Sequence, residues 1–170
     1  IAVDARTGQR CAGFGQGGEV STSLNMGEII PGMVSITAAP TIVRGVVVTG
    51  HQILDGQRRY APSGVIKGFD AVTGELRWAW DMMRPDIDTT PPEGQIFTLG
   101  TPNMWTSASG DERLGLVYLP LGSTAADYYS SSRRPRELEY ATSLVAIDVT
   151  TGKPAWHFQA VHNDVWDYES

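Results

Sequence analysis

The feature that most constrains this chain is a phrase that it uses three times. Asp70-Ala71-Val72-Thr73-Gly74-Glu75-Leu76-Arg77-Trp78 and Asp148-Val149-Thr150-Thr151-Gly152-Lys153-Pro154-Ala155-Trp156 share Asp, Thr, Gly and Trp at one spacing. A third copy, Asp4-Ala5-Arg6-Thr7-Gly8, carries Ala12 in place of the Trp. It regains an aromatic at Phe14, the register of Trp80 and Phe158. Repetition of one short unit implies stacked supersecondary pieces, because one piece alone cannot bury its apolar face. The aspartates stand 66 and 78 residues apart. Common propeller repeats run to roughly 40–50 residues, so long insertions are expected between the units.

Each phrase reads as a hairpin. A β-rich run, Val65 to Phe69 or Ser143 to Ile147, meets a turn. A second run follows with aromatics on alternate residues, Trp78/Trp80 and Trp156/Phe158. The Asp can accept from amides of its own turn, and the Gly supplies the positive φ of a tight turn. Large aromatics at period two are expected to fill the gap between neighbouring sheets. Trp78, Trp80 and Trp156 are therefore read as packing residues, and Asp70, Thr73, Asp148 and Thr151 as structural ones. Thr41–Thr49 and Gly115–Leu121 read as further strands, and no run reads as a long amphipathic helix. Punctuated by 19 Gly and 10 Pro, the chain is expected to be all-β, as a sandwich, barrel or propeller. Two to three blades do not close a ring and leave sheet edges bare. Residues 1–170 are thus expected to be an internal stretch of a single propeller domain, not stable when isolated.

The charge pattern narrows function. A net charge of −6 with no basic stripe argues against a nucleic-acid partner. The basic cluster Arg133, Arg134 and Arg136 reads as a solvated loop. A single cysteine, Cys11, rules out an internal disulfide and any site built from several thiolates. Gly13-Phe14-Gly15-Gln16-Gly17-Gly18 lacks the strand–helix context of a phosphate loop and reads as a connector.

Three segments outside the repeat could carry chemistry. In Thr49-Gly50-His51-Gln52-Ile53-Leu54-Asp55-Gly56, the Asp55 carboxylate either caps a turn or ligates a hard cation through oxygen. In Thr101-Pro102-Asn103-Met104-Trp105-Thr106, Trp105 opens a strand-like run and is either core or a stacking platform for a flat ligand. The closing His162-Asn163-Asp164-Val165-Trp166-Asp167 sets two carboxylates three residues apart around a large aromatic. That is a composition suited to a pocket floor holding a base, with Asp167 as the candidate. His162 reads as a hydrogen-bonding or core histidine, because no second His stands at ligand spacing.

These residues resemble the quinoprotein dehydrogenases that use pyrroloquinoline quinone (PQQ), in the branch of membrane-bound glucose dehydrogenases and quinate/shikimate dehydrogenases. The resemblance rests on the repeated phrase, Ser63-Gly64-Val65-Ile66-Lys67-Gly68-Phe69-Asp70, Pro102-Asn103-Met104-Trp105, Leu116-Val117-Tyr118-Leu119-Pro120-Leu121-Gly122 and the terminal motif, and it spans essentially all 170 residues. It implies an eight-bladed β-propeller with the cofactor on its axis, of which this chain supplies about two to three blades. It implies Asp167 as the catalytic carboxylate and Trp105 as the ring stacked on the quinone. It implies Asp55 as a ligand of Ca²⁺ (or Mg²⁺), with a further oxygen donor at Ser123 or Thr124, assigned to Thr124.

The activity implied is oxidation of an aldose, glucose to gluconolactone, by hydride transfer to PQQ. Electrons would pass to ubiquinone, from a parent protein anchored in the inner membrane with its catalytic domain facing the periplasm. Quinate, shikimate or another polyol is the alternative substrate, and a non-catalytic propeller scaffold the alternative class. The chain departs from the family pattern at Gly56, where an amide often follows the metal aspartate, and at Asn163, where His is common. It lacks the adjacent-cysteine pair of the soluble alcohol dehydrogenases near Asp55, which favours the sugar and polyol branch. The family's quinone-contacting lysine and an upstream histidine would lie outside these residues.

Overall fold

The computed structural model describes residues 1–168. Its strands are β1 (Val34–Ser35), β2 (Thr41–Val43), β3 (Val46–Thr49), β4 (Gln52–Ile53), β5 (Ile66–Asp70), β6 (Leu76–Trp80), β7 (Ser109–Asp111), β8 (Leu116–Leu121), β9 (Ser143–Asp148) and β10 (Lys153–Gln159). A 3₁₀ turn (Ser130–Ser132) and a six-residue helix, α1 (Pro135–Tyr140), interrupt them. The strands form two four-stranded antiparallel sheets, β2-β3-β5-β6 and β7-β8-β9-β10, with β1 and β4 paired separately. These sheets are successive blades of a β-propeller. The run expected as one strand over Thr41–Thr49 is instead a hairpin, because Arg44 and Gly45 both adopt positive φ and reverse the chain.

The repeated phrase folds alike three times. The Oδ1 atoms of Asp4, Asp70 and Asp148 each accept two backbone N–H groups two and three residues on. In each turn the glycine N–H donates to the carbonyl of the same aspartate, and Gly8, Gly74 and Gly152 hold φ near +70°. An L-residue pays a steric penalty there that glycine avoids. In the second and third copies the turn joins β5 to β6 and β9 to β10. The first copy closes only the Val3–Arg10 bridge.

The two blades share one core. Val43, Val46 and Val48 of the first sheet meet Val117, Leu119, Val145 and Ile147 of the second, with Trp78 and Trp80 between them. Trp78, 2% exposed, is wedged between two glycines. A Cβ on Gly68 would sit 2.3 Å from its ring, and one on Gly152 2.6 Å. Trp80 stacks edge-on to Tyr140 at 5.3 Å. The outer strand β10 differs: Trp156 is 44% and Phe158 67% exposed, so within this chain they cover no second sheet. Trp156 leans instead on Tyr118 of its own sheet, at 5.8 Å. A smaller core of Met26, Met33, Ile53, Ala61, Val65, Ala79, Ile87, Phe97 and Ala125 seats the long loops against the first blade.

The basic cluster is only partly the solvated loop expected: Arg136 is exposed, Arg134 half-buried and Arg133 buried. Arg133 is buried, with a guanidinium nitrogen donating to the Asp127 carbonyl at 2.6 Å. Arg134 starts α1, its N–H donating to Glu137 at 2.6 Å and its guanidinium to the Leu99 carbonyl at 2.9 Å. Arg136 donates to the Met82 carbonyl at 3.1 Å. Buried loop carbonyls need donors, and these three arginines supply them. No helix among the described residues is long and apolar enough to cross a membrane.

Candidate functional site

Asp55, Thr124 and Asp167 lie far apart in sequence, and the loops after β4, β8 and β10 gather their segments. Asp55 follows β4 and is half-buried. Its neighbours pin it: the Leu54 N–H donates to the Met33 carbonyl at 2.9 Å, and the Gly56 N–H to the Ala125 carbonyl at 3.1 Å. That second bond ties the Asp55 loop directly to the loop carrying Thr124. Thr124 is buried, and its Oγ1 has no hydrogen-bond partner. A buried hydroxyl oxygen without a partner is costly unless something else engages it.

Asp167 sits on the turn after β10. Of the two carboxylates in the terminal motif, Asp164 is the structural one. It is buried and accepts the N–H groups of Trp166 at 2.9 Å and Tyr168 at 2.8 Å. The turn so built holds Asp167 at φ +57° with its side chain exposed. The Tyr128 hydroxyl donates to Asp167 Oδ2 at 3.3 Å. His162 hydrogen-bonds the Gln159 amide oxygen at 2.6 Å through Nδ1, as expected for a hydrogen-bonding histidine.

Burial raises the pKa of the Asp55 carboxyl, the charge of Asp167 raises it further, and a hydrogen bond shared with Asp127 opposes the rise. The Tyr128 phenol is also pushed up, first by the Asp167 charge and its hydrogen bond, then by desolvation and by Asp127 and Asp55. Three carboxyl groups therefore concentrate negative charge at one mouth of the structure, a setting that favours a cation. Beside them opens a recess of about 400 Å³ lined by Gly56, Arg58, Asp127, Tyr128, Tyr129 and others. Among the described residues, no three carboxylate, imidazole or thiolate side chains converge as a self-contained metal centre. Asp55 and the Thr124 hydroxyl are nonetheless hard oxygen donors suited to Ca²⁺ or Mg²⁺, provided that a bound ligand completes the shell.

Trp105 lies on another loop. The strand-like run expected from it does not form, and the next strand, β7, begins at Ser109. The Trp105 carbonyl accepts the Thr37 hydroxyl, and its indole is 40% exposed. Preceding it, Asn103 is buried, with its backbone carbonyl accepting the Gly122 N–H at 2.9 Å and its Oδ1 without a partner. A partly exposed indole can offer a flat ligand a stacking face. The structure brings Asp55, Asp127, Tyr128 and Asp167 together, whereas Trp105 lines a separate small crevice with Thr37, Pro40, Gly50 and Met104.

A larger recess, about 640 Å³, lies elsewhere, lined by Leu24, Lys67, Phe69 and Phe97 among others. It holds none of the expected site residues. Lys67 there is buried, its ammonium donating to the Thr22 and Leu24 carbonyls at 2.8 and 2.7 Å and lying 5.1 Å from the Phe97 ring centre. Asp127 and Tyr128 stand in the carboxylate cluster, and sequence reasoning did not single them out. Their one signal was adjacency to Thr124, which says nothing about the distant carboxylates that they meet.

The family model described as "PQQ: Glucose/ethanol/alcohol dehydrogenase, beta-propeller domain" matches residues 1–170. The chain is 53% identical over 169 residues to the glycerol dehydrogenase large subunit of Gluconobacter oxydans, covering 99% of this chain and 23% of that protein. It is 39% identical over 169 residues to the quinoprotein glucose dehydrogenase of Escherichia coli, covering 99% of this chain and 21% of that protein. Among solved structures, it matches the quinohemoprotein alcohol dehydrogenase of Comamonas testosteroni with a TM-score of 0.58 and 28% identity, covering 79% of this chain and 22% of that one. The chain thus spans about a fifth to a quarter of the length of these relatives.

Proposed function

We infer the activity from the family: the chain belongs to the PQQ glucose/ethanol/alcohol dehydrogenase β-propeller family, and we propose that it carries the base for oxidation of a polyhydroxylated alcohol. Residues 1–170 would be one stretch of a single propeller domain. The observation that carries the reading is the meeting of Asp55, Asp127, Tyr128 and Asp167 at one mouth, with an unpartnered Thr124 hydroxyl on the adjoining loop.

In this reading Asp167, exposed on a rigid turn, accepts the proton of the substrate hydroxyl. A placed general base contributes on the order of 10²–10⁴-fold. Asp55 and Thr124 Oγ1 donate oxygen to a divalent cation, Ca²⁺ or Mg²⁺, whose charge offsets the crowded carboxylates. By the family resemblance the Trp105 indole, although it lines a crevice apart from the carboxylates here, is the surface on which PQQ would lie. Bound PQQ would supply the two-electron acceptor, and the cation beside it Lewis-acid polarisation. Ubiquinone as the onward acceptor, a membrane anchor and a periplasmic location belong to the same proposal for the parent protein.

The substrate is proposed as a small polyol, on the 53% identity to a glycerol dehydrogenase large subunit. The aldose reading, glucose to gluconolactone, stands second on the 39% identity to a glucose dehydrogenase. A match to dehydrogenases over the whole chain weighs against a scaffold. Dye-linked activity of the full-length protein, reconstituted with PQQ and Ca²⁺, separates these on glycerol, glucose and quinate side by side. Glycerol is expected to be oxidised fastest. Preference for glucose would restore the aldose reading, and no reduction with any of the three would overturn the proposal.

A further inference from the structure

We propose that Tyr128 is a positioning residue for Asp167, an inference that rests on the reading of Asp167 as the base. The turn after β10 fixes the Asp167 backbone, since Asp164 ties down Trp166 and Tyr168 on either side of it. It does not fix the carboxylate, which still rotates about two side-chain bonds. Asp55 and Asp127 stand near enough to act on the same groups electrostatically, and like charges drive a mobile carboxylate outward into water.

The Tyr128 hydroxyl opposes that drift by donating to Oδ2 at 3.3 Å. A carboxylate has two acceptor oxygens, so this bond leaves Oδ1 for the substrate. The surrounding carboxylates disfavour the phenolate, which keeps Tyr128 a donor through neutral pH. Its ring also borders the recess of about 400 Å³ beside the cluster, so the bond forms where a small polyol would enter. Tyr128 is 67% exposed, so little of it packs into a core, and the hydrogen bond its hydroxyl makes is to Asp167.

The test uses the full-length protein loaded with PQQ and Ca²⁺, comparing Tyr128→Phe with wild type and with Asp167→Asn on the best substrate found. The bond should be of ordinary net strength, so Tyr128→Phe should lower kcat about fivefold. KM, the melting temperature and the PQQ affinity, read by quenching of tryptophan fluorescence, should stay at their wild-type values. Unchanged kcat, or a loss lying wholly in KM or PQQ affinity, overturns the inference while leaving Asp167 in place. Normal turnover by Asp167→Asn would instead overturn the base assignment, and the role of Tyr128 with it.

Discussion

The Trp78 indole N–H donates to the carbonyl of Val149 at 2.8 Å, across the boundary between the two blades. Trp78 belongs to the second copy of the repeated phrase and Val149 to the third, so the third copy builds its own turn and also receives the aromatic of the copy before it. Trp78→Ala should therefore cost the full-length protein roughly 3–5 kcal/mol, as a buried aromatic truncation does. Trp78→Phe fills most of the space but leaves the Val149 carbonyl without that donor, and about 1–3 kcal/mol is expected. Denaturant unfolding should rank them in that order, and a Trp78→Phe loss near zero would mean that the hydrogen bond contributes nothing.

Two glycines in the same turn position should respond differently to alanine. Gly8 and Gly152 hold φ of +71° and +70°, but a Cβ on Gly8 meets nothing within 4 Å, whereas one on Gly152 lies 2.6 Å from the Trp78 ring. Gly8→Ala should cost about 1–2 kcal/mol from backbone conformation alone. Gly152→Ala should cost distinctly more, because the ring must also shift. Melting temperatures of the two variants provide the comparison, and similar losses would show that the blade boundary yields easily.

How much of this was legible in the sequence follows from how local each cause is. Asp70, Gly74 and their counterparts act within five residues, so the phrase alone gave the turns. Trp78 and Trp80 were read correctly as packing because alternation is also local. Trp156 and Phe158 share the pattern yet stand exposed, since alternation marks a strand face and not whether a second sheet covers it. The arginines near 134 looked like a loop because their acceptors, the carbonyls of Met82 and Leu99, are some 35–54 residues away in sequence. Asp127 and Tyr128 were missed for the same reason, as the partners that define them come from other loops.

Acid should loosen the first blade. Burial, and then the charge of Lys67, holds His51 at a pKa of about 4 against an ordinary 6.5. Its Nε2 is bound to the Thr22 hydroxyl at 2.9 Å. Between those two values the unfolded chain carries the extra proton, so stability falls as pH drops from about 6.5 to about 4 and levels off below. The loss is ~3 kcal/mol at most. Lys67, held at about 8 by burial, is protonated in both states throughout that window and adds no slope. His51→Gln should flatten the pH dependence of unfolding over this range; an unchanged slope would place its origin elsewhere.

The cation site makes a separate claim. Asp55→Asn removes the negative charge and one of two carboxylate oxygens, Thr124→Val removes the hydroxyl, both keep size, and each should raise the Ca²⁺ concentration needed for half-maximal reconstitution with PQQ by roughly tenfold or more. Calorimetric titration of Ca²⁺ into the full-length protein with PQQ present measures it. Wild-type affinity in both variants would remove these residues from the cation's shell.

The central claim is that Asp167 is the base, and Asp167→Asn in the full-length protein tests it most directly. The amide keeps the shape of the turn and loses the proton acceptor. With PQQ and Ca²⁺ bound, the account predicts a fall in kcat of about 10²–10⁴-fold, with PQQ affinity and melting temperature near wild type. Turnover within a few-fold of wild type, with PQQ bound, would contradict it.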